Sequence, residues 1–321
     1  MIFTGEVARI VQLHPTRHCN LACAHCYSSS GPREREQLPP EVVDALVEDA
    51  ATEGYNVLSL SGGEPLMYPH LERVLRAARA AGLVANVVTN GTLLDDERVA
   101  LLAELAGTVA VSLDGKPEDH DRMRGRPGAF AALEAGVARL AAAGLRFGVV
   151  FTLSERNCSS LLWAARFAAA CGAASLHVHA LDDVGRGAAL GDEVPLDETR
   201  SAVWLAVGYL RRTFPELAIQ LDLADRHVAA RALEPPTADD GRLATLLSPL
   251  VVEPDGTVAP LQYGFPRRFA LGSLHDARLG ELARRWRSTY PVLRSACCGP
   301  LRVLRDSDDV IDLYRSLAAR V

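Results

Sequence analysis

Three cysteines lie close together near the start of the 321-residue chain, at Cys19, Cys23 and Cys26. Their spacing allows one compact loop to present three thiolates to a single centre and leaves a fourth coordination position free of protein. An iron–sulfur cluster takes thiolates as its usual ligands and tolerates an exchangeable ligand at one iron. Zinc held by the three cysteines and His25 or His18 is the alternative, and ligand softness favours iron–sulfur by only about two to one.

Further polar motifs stand directly after short apolar runs. In parallel α/β folds the carboxyl ends of the strands converge on one mouth, where ligands bind. We therefore expect these motifs to meet in space, although a Gly-Gly or Asp-Gly pair taken alone also fits a simple tight turn. The motifs are Ser61-Gly62-Gly63-Glu64-Pro65, Thr89-Asn90-Gly91, Ser112-Leu113-Asp114-Gly115 and Arg156-Asn157.

A repeated pattern predicts the elements that position these motifs. A helical stretch ends at a glycine suited to the left-handed position after a helix, and a continuous apolar run short enough for a buried parallel strand follows. Six such βα units predict an α/β fold, a partial (β/α)6 parallel barrel, with a doubly wound open sheet as the alternative. The glycines are Gly54, Gly82, Gly107, Gly144 and Gly172, and the strands are Ile10–Leu13, Val57–Leu60, Val84–Val88, Val109–Leu113, Phe147–Thr152 and Ser175–His179.

The rhythm changes after the sixth unit. We expect the barrel over residues 8–195, a helical connection over 196–248 that begins with the helix Leu196–Phe214, and a smaller α+β C-terminal domain over 249–321. Asp255-Gly256 between two apolar runs is a strong hairpin signal. Further helices are predicted at Leu279–Ser288 and Asp308–Ala319.

The amino-acid composition limits the kinds of partner that this protein is expected to bind. The net charge is −6, from 34 basic and 40 acidic residues that are intermixed. This balance gives no basic face for a phosphate backbone, so nucleic acid is not an expected partner. The first residues show no signal peptide and we find no membrane-length apolar run, so a cytoplasmic protein is expected. In a reducing compartment crowded thiols indicate metal or redox chemistry rather than disulfides.

Taken together, the motifs resemble the radical S-adenosylmethionine (SAM) superfamily. The resemblance rests on Cys19-x3-Cys23-x2-Cys26 with aromatic His25 before the last cysteine, followed in order by Gly62-Gly63-Glu64-Pro65, Asn90-Gly91 and Ser112-Leu113-Asp114-Gly115. The segment His120–Gly125 narrows it to the branch of peptide maturases, sulfatase maturases and haem- or cofactor-modifying enzymes, which usually carry a C-terminal SPASM or twitch domain. The resemblance is strong over residues 8 to 190.

The resemblance implies a [4Fe-4S] cluster on the three cysteines, with SAM chelating the fourth iron through its amino and carboxylate groups. Gly62 and Gly63 would approach the methionyl moiety, and Glu64 would accept from its ammonium. Ser112 and Arg124 would donate to the SAM carboxylate. The remaining expected cofactor contacts are His25 near adenine, Asp114 near the ribose or supporting its loop, and Asn90.

The C-terminal part departs from the family pattern. Leu261 stands where such domains usually place a cluster cysteine, and no cysteine lies between Cys171 and Cys297. Adjacent Cys297 and Cys298 can rarely both bind one cluster without strain. We therefore expect a degenerate SPASM- or twitch-like domain, and one cluster in the chain rather than two or three.

The function implied is reductive cleavage of SAM to a 5′-deoxyadenosyl radical that abstracts hydrogen from a natural-product or ribosomal-peptide substrate. Modification of a tetrapyrrole or small metabolite is the alternative, and a non-catalytic iron–sulfur sensor or scaffold is a third. Expected partners are a reductant such as flavodoxin or ferredoxin and, for a peptide substrate, a separate leader-binding protein. His177 and His179 point the same way on a strand and are candidates for the substrate pocket, although packed histidines are the more common case.

Overall fold

The computed structural model describes residues 8–234, 240–307 and 309–320. Over these residues the chain alternates short strands and helices before a C-terminal hairpin and three final helices. The elements are β1 (Ile10–Leu13), α1 (Pro40–Thr52), β2 (Val57–Leu60), α2 (Leu71–Ala80), β3 (Val84–Thr89), α3 (Asp96–Leu105), β4 (Thr108–Leu113), α4 (Pro117–Arg124), α5 (Ala129–Ala142), β5 (Phe147–Leu153), α6 (Leu161–Ala170), β6 (Ser175–Ala180), α7 (Asp197–Thr213), β7 (Ala218–Leu221), α8 (Arg226–Leu233), α9 (Leu243–Leu246), β8 (Leu250–Val252), β9 (Thr257–Pro260), β10 (Gly272–Ser273), α10 (Leu279–Trp286), α11 (Tyr290–Arg305) and α12 (Leu313–Arg320).

One sheet contains all the described strands, in the order β10-β9-β8-β1-β2-β3-β4-β5-β6-β7. Strands β1 to β6 are parallel and adjacent in chain order. A doubly wound sheet reverses direction at a switch point, whereas consecutive right-handed crossovers keep every helix on one face and curl the sheet. The uninterrupted order therefore confirms the α/β fold with a six-unit partial barrel.

The strands form where continuous apolar runs can be buried on both faces. Val57, Leu58, Val109 and Phe147 have less than about a tenth of their surface exposed, and the helices cover them from outside. Pro40 and Pro117 occupy the first turn of α1 and α4, where a missing N–H is no loss. The core therefore lies between the sheet and the helical layer and extends through the C-terminal hairpin.

Glycine closes most of the predicted helices as expected, since Gly54, Gly82, Gly144 and Gly172 all have positive φ. Gly107 was expected to do the same and does not: α3 ends on Ala106 in an extended conformation. A Cβ at Gly107 would lie 2.4 Å from Cγ1 of Val84. Close contact with the start of β3, rather than a left-handed backbone, is the reason for glycine there.

Two strands extend the barrel beyond the six expected units. Strand β7 pairs in parallel with β6, so the segment 196–248, expected as a helical connection, also contains a strand. Strand β8 pairs in parallel with β1 and antiparallel with β9. The predicted hairpin is present, with Gly256 at φ +82° in its turn, and it is hydrogen-bonded to the edge of the barrel sheet.

The last helices differ from expectation in two respects. Helix α10 matches the predicted segment, but α11 was not predicted and α12 begins at Leu313 rather than near Asp308, which itself lies outside the described residues. Pro300 inside α11 is a residue that normally argues against a helix, which explains the omission. Among the described residues, we find no helix with the length and apolar character needed to cross a membrane.

Candidate functional site

The three cysteines lie in the loop after β1, residues 19–31, which we call the thiol loop. Cys19, Cys23 and Cys26 pack together around Leu21, and all seven cysteines of the chain are free thiols. The Cys19 N–H donates to the Gly31 carbonyl (3.2 Å), which joins the two ends of the loop, and the Ala24 N–H donates to the Met123 carbonyl (2.8 Å), which fixes its middle. The loop therefore brings three thiols together, with Cys19 and Cys23 buried and Cys26 half-buried.

Burial governs the chemistry of these thiols. It raises the pKa of Cys19 to about 12 and also raises that of Cys23, where the charge of Arg124 acts in the opposite direction. Both thiols therefore hold their protons in the metal-free protein. Metal binding to thiolates releases protons, so a metal centre here must be strong enough to displace them.

The donor set fits a cluster better than a single ion. Among the described residues, we find no three His, Cys, Asp or Glu side chains that converge closely enough to hold one metal ion. In a cuboidal cluster each thiolate binds a different iron, so the sulfurs stand farther apart than around one zinc. His25, the fourth ligand of the zinc alternative, directs Nε2 at Asp114 Oδ1 (3.3 Å).

A cavity open to solvent lies beside the thiol loop at the carboxyl ends of the strands. The structure brings most of the predicted site residues to its wall, but the Arg156-Asn157 motif is not on it. Those on the wall are Cys19, Cys23, Cys26, His25, Gly62, Gly63, Asn90, Ser112, Arg124 and His179. Glu64, Asp114 and His177 are not on the wall, and the first two lie behind it as buried supports.

Gly62 and Gly63 bring β2 against the chain leading into the thiol loop. Gly62 has φ +108°, and a Cβ at Gly63 would lie 2.3 Å from the carbonyl oxygen of His18. The Gly63 N–H donates to the Thr16 carbonyl (2.8 Å). The protein's own backbone therefore requires the two glycines, in addition to any ligand in the cavity.

Glu64 is 1% exposed, and its carboxylate is engaged by protein donors. Oε1 accepts from the N–H of Leu66 (3.1 Å) and the hydroxyl of Thr89 (2.7 Å), and Oε2 accepts from the N–H of Asn90 (2.9 Å). Burial raises its pKa despite these donors. Glu64 thus ties the ends of β2 and β3 together, a role that its motif did not reveal.

Asp114 is the centre of a second buried group. Arg124 Nε lies 2.5 Å from Oδ2 and Nη2 donates to Oδ1 (3.1 Å), while His25 and His120 approach from other sides. Burial acts to raise the pKa of Asp114, but Arg124 and His25 outweigh it and hold the pKa well below its ordinary range. Ser112 donates to the Thr89 carbonyl (3.3 Å).

Arg124 also touches the thiol loop, since Nη1 lies 3.7 Å from Cys23 Sγ. His120, with no exposed side-chain surface, accepts from the Asp114 N–H at Nδ1 (3.3 Å), and burial lowers its pKa to about 4. It is therefore neutral at pH 7. The buried group keeps a single carboxylate and a single guanidinium charged beside the cysteines.

The opposite wall carries histidines paired with carboxylates. His179 Nδ1 lies 3.1 Å from Asp222 Oδ2 and its Nε2 lies 3.4 Å from Asp182 Oδ2. His177 Nε2 lies 2.6 Å from Asp222 Oδ1. Burial acts to lower the pKa of His179, but its contacts with Asp182 and Asp222 outweigh this and raise it well above the ordinary value. With a carboxylate at each ring nitrogen, the imidazolium is the favoured form.

Several residues of this site were not found in the sequence. Asp222 follows β7, a strand that was not predicted, and Asp182 and Arg186 lie in the loop after β6. Tyr27 lines the cavity, and its hydroxyl is 3.2 Å from Ser61 Oγ. For Asp182 the available signal was its position just beyond a strand end, the same signal that located the other motifs.

Comparisons with known proteins agree with this geometry. Residues 13–155 match the Radical SAM superfamily. The chain is 34% identical over 233 residues to Fe-coproporphyrin III synthase of Methanosarcina barkeri, covering 68% of this chain and 57% of that protein. It is 30% identical over 268 residues to PqqA peptide cyclase of Ruegeria pomeroyi, covering 81% of this chain and 68% of that protein.

A solved structure shares the fold. SuiB of Streptococcus suis, bound to S-adenosylmethionine, superposes with a TM-score of 0.70 at 16% identity, covering 90% of this chain and 68% of that one. The present chain spans between half and three-fifths of the length of several curated relatives. The chain belongs to the radical SAM superfamily, whose characteristic cofactors are a [4Fe-4S] cluster and SAM.

Proposed function

We propose that this protein is a radical SAM enzyme acting on a ribosomal peptide or related natural product. The observation that supports this most is the meeting of three thiols, two of them buried and one half-buried, with His25, Gly62, Asn90 and Arg124 on the wall of one cavity. The chemistry supplied by a bound cluster and SAM is reductive cleavage of SAM, giving a 5′-deoxyadenosyl radical able to take hydrogen from an unreactive C–H bond.

The chain's own groups position the cofactor and shield it from water. Cys19, Cys23 and Cys26 are the proposed ligands, and His25, Gly62, Gly63, Asn90, Ser112 and Arg124 are the proposed SAM contacts. Arg124 would donate to the SAM carboxylate while retaining Asp114 as its partner. Glu64 and Asp114 are proposed to act mainly by holding the loops, since both carboxylates are buried behind the wall.

The wall bearing His179 is the proposed substrate side. Asp222 holds one ring nitrogen of His179 and leaves the other facing Asp182 on the cavity wall. A carboxylate behind a histidine fixes its orientation and stabilises its charged form. His179 is thereby suited to donate a proton from Nε2 to a substrate group that displaces Asp182, with His177 supporting Asp222 from outside the cavity.

The charges on the wall favour a peptide over a tetrapyrrole. A tetrapyrrole with several carboxylates requires several cationic donors. On the described wall Arg186 already binds carbonyls of the protein and Arg124 is the proposed SAM contact, which leaves His179 as the cation on the substrate side. Asp182 adds negative charge to the substrate side. Tetrapyrrole modification remains the second candidate because of the 34% identity to Fe-coproporphyrin III synthase.

Anaerobic reconstitution followed by three measurements tests the proposal. One cluster predicts about four irons per chain, because Cys297 and Cys298 are adjacent on α11 and lie far along the chain from Cys158 and Cys171. Formation of 5′-deoxyadenosine with a reductant such as flavodoxin or ferredoxin separates an enzyme from a sensor. Protein that binds zinc tightly and contains no iron would contradict the proposed cluster. An iron content near eight per chain that is lost on replacing both C-terminal cysteines would contradict the proposal of a single cluster.

Mass spectrometry then decides the substrate class. A precursor peptide, with or without a separate leader-binding protein, and Fe-coproporphyrin III are supplied in parallel reactions. We expect a SAM-dependent mass change on the peptide. A change on the porphyrin alone supports the second candidate and contradicts the first.

A further inference from the structure

The loop after β6, residues 181–187, lies directly against the thiol loop. Arg186 donates from Nε to the carbonyl of Cys23 (2.8 Å) and from Nη2 to the carbonyl of Ser30 (2.7 Å). Its backbone N–H donates to the carbonyl of Cys26 (3.0 Å). One residue thus binds three carbonyls of the thiol loop, two of which belong to proposed cluster ligands.

The backbone is shaped for this contact. Gly185 has φ +58°, and a Cβ there would lie 2.2 Å from the carbonyl oxygen of Tyr27 and 2.5 Å from that of Cys26. At Gly187 a Cβ would lie 2.2 Å from the Asp182 carbonyl oxygen. Only glycine allows the two loops to come this close, so Arg186 is delivered to the thiol loop by a fitted backbone.

Two backbone hydrogen bonds within the thiol loop involve its last two cysteines, and both are at or beyond the long end of the usual range. The Cys26 N–H reaches the Cys23 carbonyl at 3.4 Å, and the Ser29 N–H reaches the Cys26 carbonyl at 3.2 Å. A cluster needs its ligands held in a fixed arrangement by supporting groups. Hydrogen bonds from residues outside the thiol loop must therefore supply much of this support.

We propose that Arg186 is a positioning residue for the cluster, fixing Cys23 and Cys26 through the carbonyls of the thiol loop. It acts by geometry: its two side-chain donors span carbonyls seven residues apart, which a single ammonium cannot do. Charge is supplied separately by Arg124, at 3.7 Å from Cys23 Sγ. The inference rests on the proposed function only in that these thiols bind a cluster.

The test compares Arg186→Lys and Arg186→Ala with Arg315→Lys and Arg315→Ala. Arg315 pairs with Asp183 of the same β6 loop, at 3.0 and 2.7 Å, and makes no described contact with the thiol loop, so it is a matched control. In reconstituted protein, we expect both Arg186 variants to lose iron to a chelator about tenfold faster, which corresponds to about 1.4 kcal/mol. The paramagnetic resonance spectrum of the reduced cluster should change in the same two variants, and the Arg315 variants should match the wild type.

Hydrogen–deuterium exchange in the metal-free protein tests the contact without any cluster. We expect the amides of residues 23–30 to exchange faster in Arg186→Lys while far-ultraviolet circular dichroism is unchanged. Wild-type exchange and wild-type iron retention in Arg186→Lys overturn the proposal, since lysine preserves the charge. Failure of the wild type to bind iron contradicts the proposed function, and faster exchange in Arg186→Lys would still establish the contact.

Discussion

The two walls of the cavity hold their charges in different ways. At the wall formed after β1 and β4, Arg124 is 8% exposed and the side chain of Asp114 behind it has no exposed surface, with 2.5 Å between Nε and Oδ2. At the wall formed after β6 and β7, His179 is 38% exposed, and the side chains of His177 and Asp222 beside it are 35% and 41% exposed. Both walls pair acids with bases, but only the first excludes water from the pair.

This difference separates two tasks. A buried charge is tolerated only with its full set of partners, so the first wall is rigid and suits a cofactor that must always bind in one pose. Half-exposed groups exchange protons with water and can rearrange around a ligand. The second wall therefore suits a substrate that enters and leaves.

The substitution with the largest expected effect should abolish cofactor binding at the first wall and leave the second wall unchanged. Replacing Cys19, Cys23 and Cys26 together by alanine should abolish iron binding, the visible absorption of the cluster and reductive SAM cleavage. The pairing of His179 with Asp222 should survive, because it makes no contact with the thiol loop. Absorption and 5′-deoxyadenosine measurements check the first outcome, and imidazole nuclear magnetic resonance checks the second. Cluster absorption retained by the triple variant would show that other residues hold the iron.

Arg124→Ala tests how rigid the first wall is. The substitution leaves Asp114 charged and buried without its guanidinium partner, so we expect the free energy of unfolding to fall by about 3–5 kcal/mol. Loss of the proposed charged hydrogen bond to the SAM carboxylate should weaken SAM binding by roughly 10- to 150-fold. Denaturant unfolding and SAM titration measure the two effects.

The control is Arg122→Ala on the same helix. Arg122 pairs with Glu193 at 2.9 Å, and its side chain is a third exposed. Its removal should change the unfolding free energy by no more than about 1 kcal/mol and leave SAM affinity unchanged. Equal effects of the two substitutions would remove the distinction between the buried and exposed pairs.

His120 gives the first wall a pH dependence. Burial lowers its pKa to about 4, so the folded state stays neutral where the unfolded chain takes up a proton near pH 6.5. The unfolding free energy should therefore fall as pH drops from about 6.5 to 4, by up to about 1.4 kcal/mol per pH unit. His120→Gln should reduce this slope in pH-dependent denaturation, whereas His227→Gln, at an exposed position, should not. An unchanged slope in His120→Gln would mean that His120 is protonated in the folded protein.

Asp222→Asn produces the smallest and most local change. It removes a carboxylate from His179, so the pKa of His179 should fall toward its ordinary value. In the wild type, protonated His179 stabilises the folded protein at pH values below the pKa that this histidine has in the unfolded chain. The stabilisation is lost as the pH rises through the pKa of His179 in the folded protein. Imidazole resonances followed with pH measure the shift. Asp183→Asn, which faces Arg315, is the control and should leave His179 unchanged.

The sequence predicted the barrel strands well because each is a continuous apolar run that follows a helix end. The same logic placed the polar motifs at one mouth, since strand ends converge whatever the loops contain. It did not find β7 (Ala218–Leu221), because α7 is capped by Phe214 and lacks the closing glycine that marked the preceding helix ends. Asp222, which follows that strand, was missed for the same reason.

The supporting residues were harder to predict. Arg186 donates to backbone carbonyls, which every residue has, so the residue types of the thiol loop do not show that it binds an arginine. The family resemblance implied that Glu64 accepts from the SAM ammonium, and it gave no sign of the donors from Leu66, Thr89 and Asn90, which depend on the tertiary arrangement of two strand ends. Local motifs thus located the site, while the contacts behind its wall required the folded chain.

The pairing of β1 with β8 sets the time at which the site can be completed during synthesis. Strand β1 leads directly into the thiol loop, and its second neighbour, residues 250–252, lies some 240 positions later in the chain. Domains fold as the chain emerges, N-terminal parts first, and contacts this distant in sequence form late. The cysteines leave the ribosome well before residues 250–252, so the sheet edge beside them is paired only after the hairpin has emerged. Iron that arrives before that point would find the site incompletely folded. We therefore expect the cluster to be inserted after the hairpin has been translated.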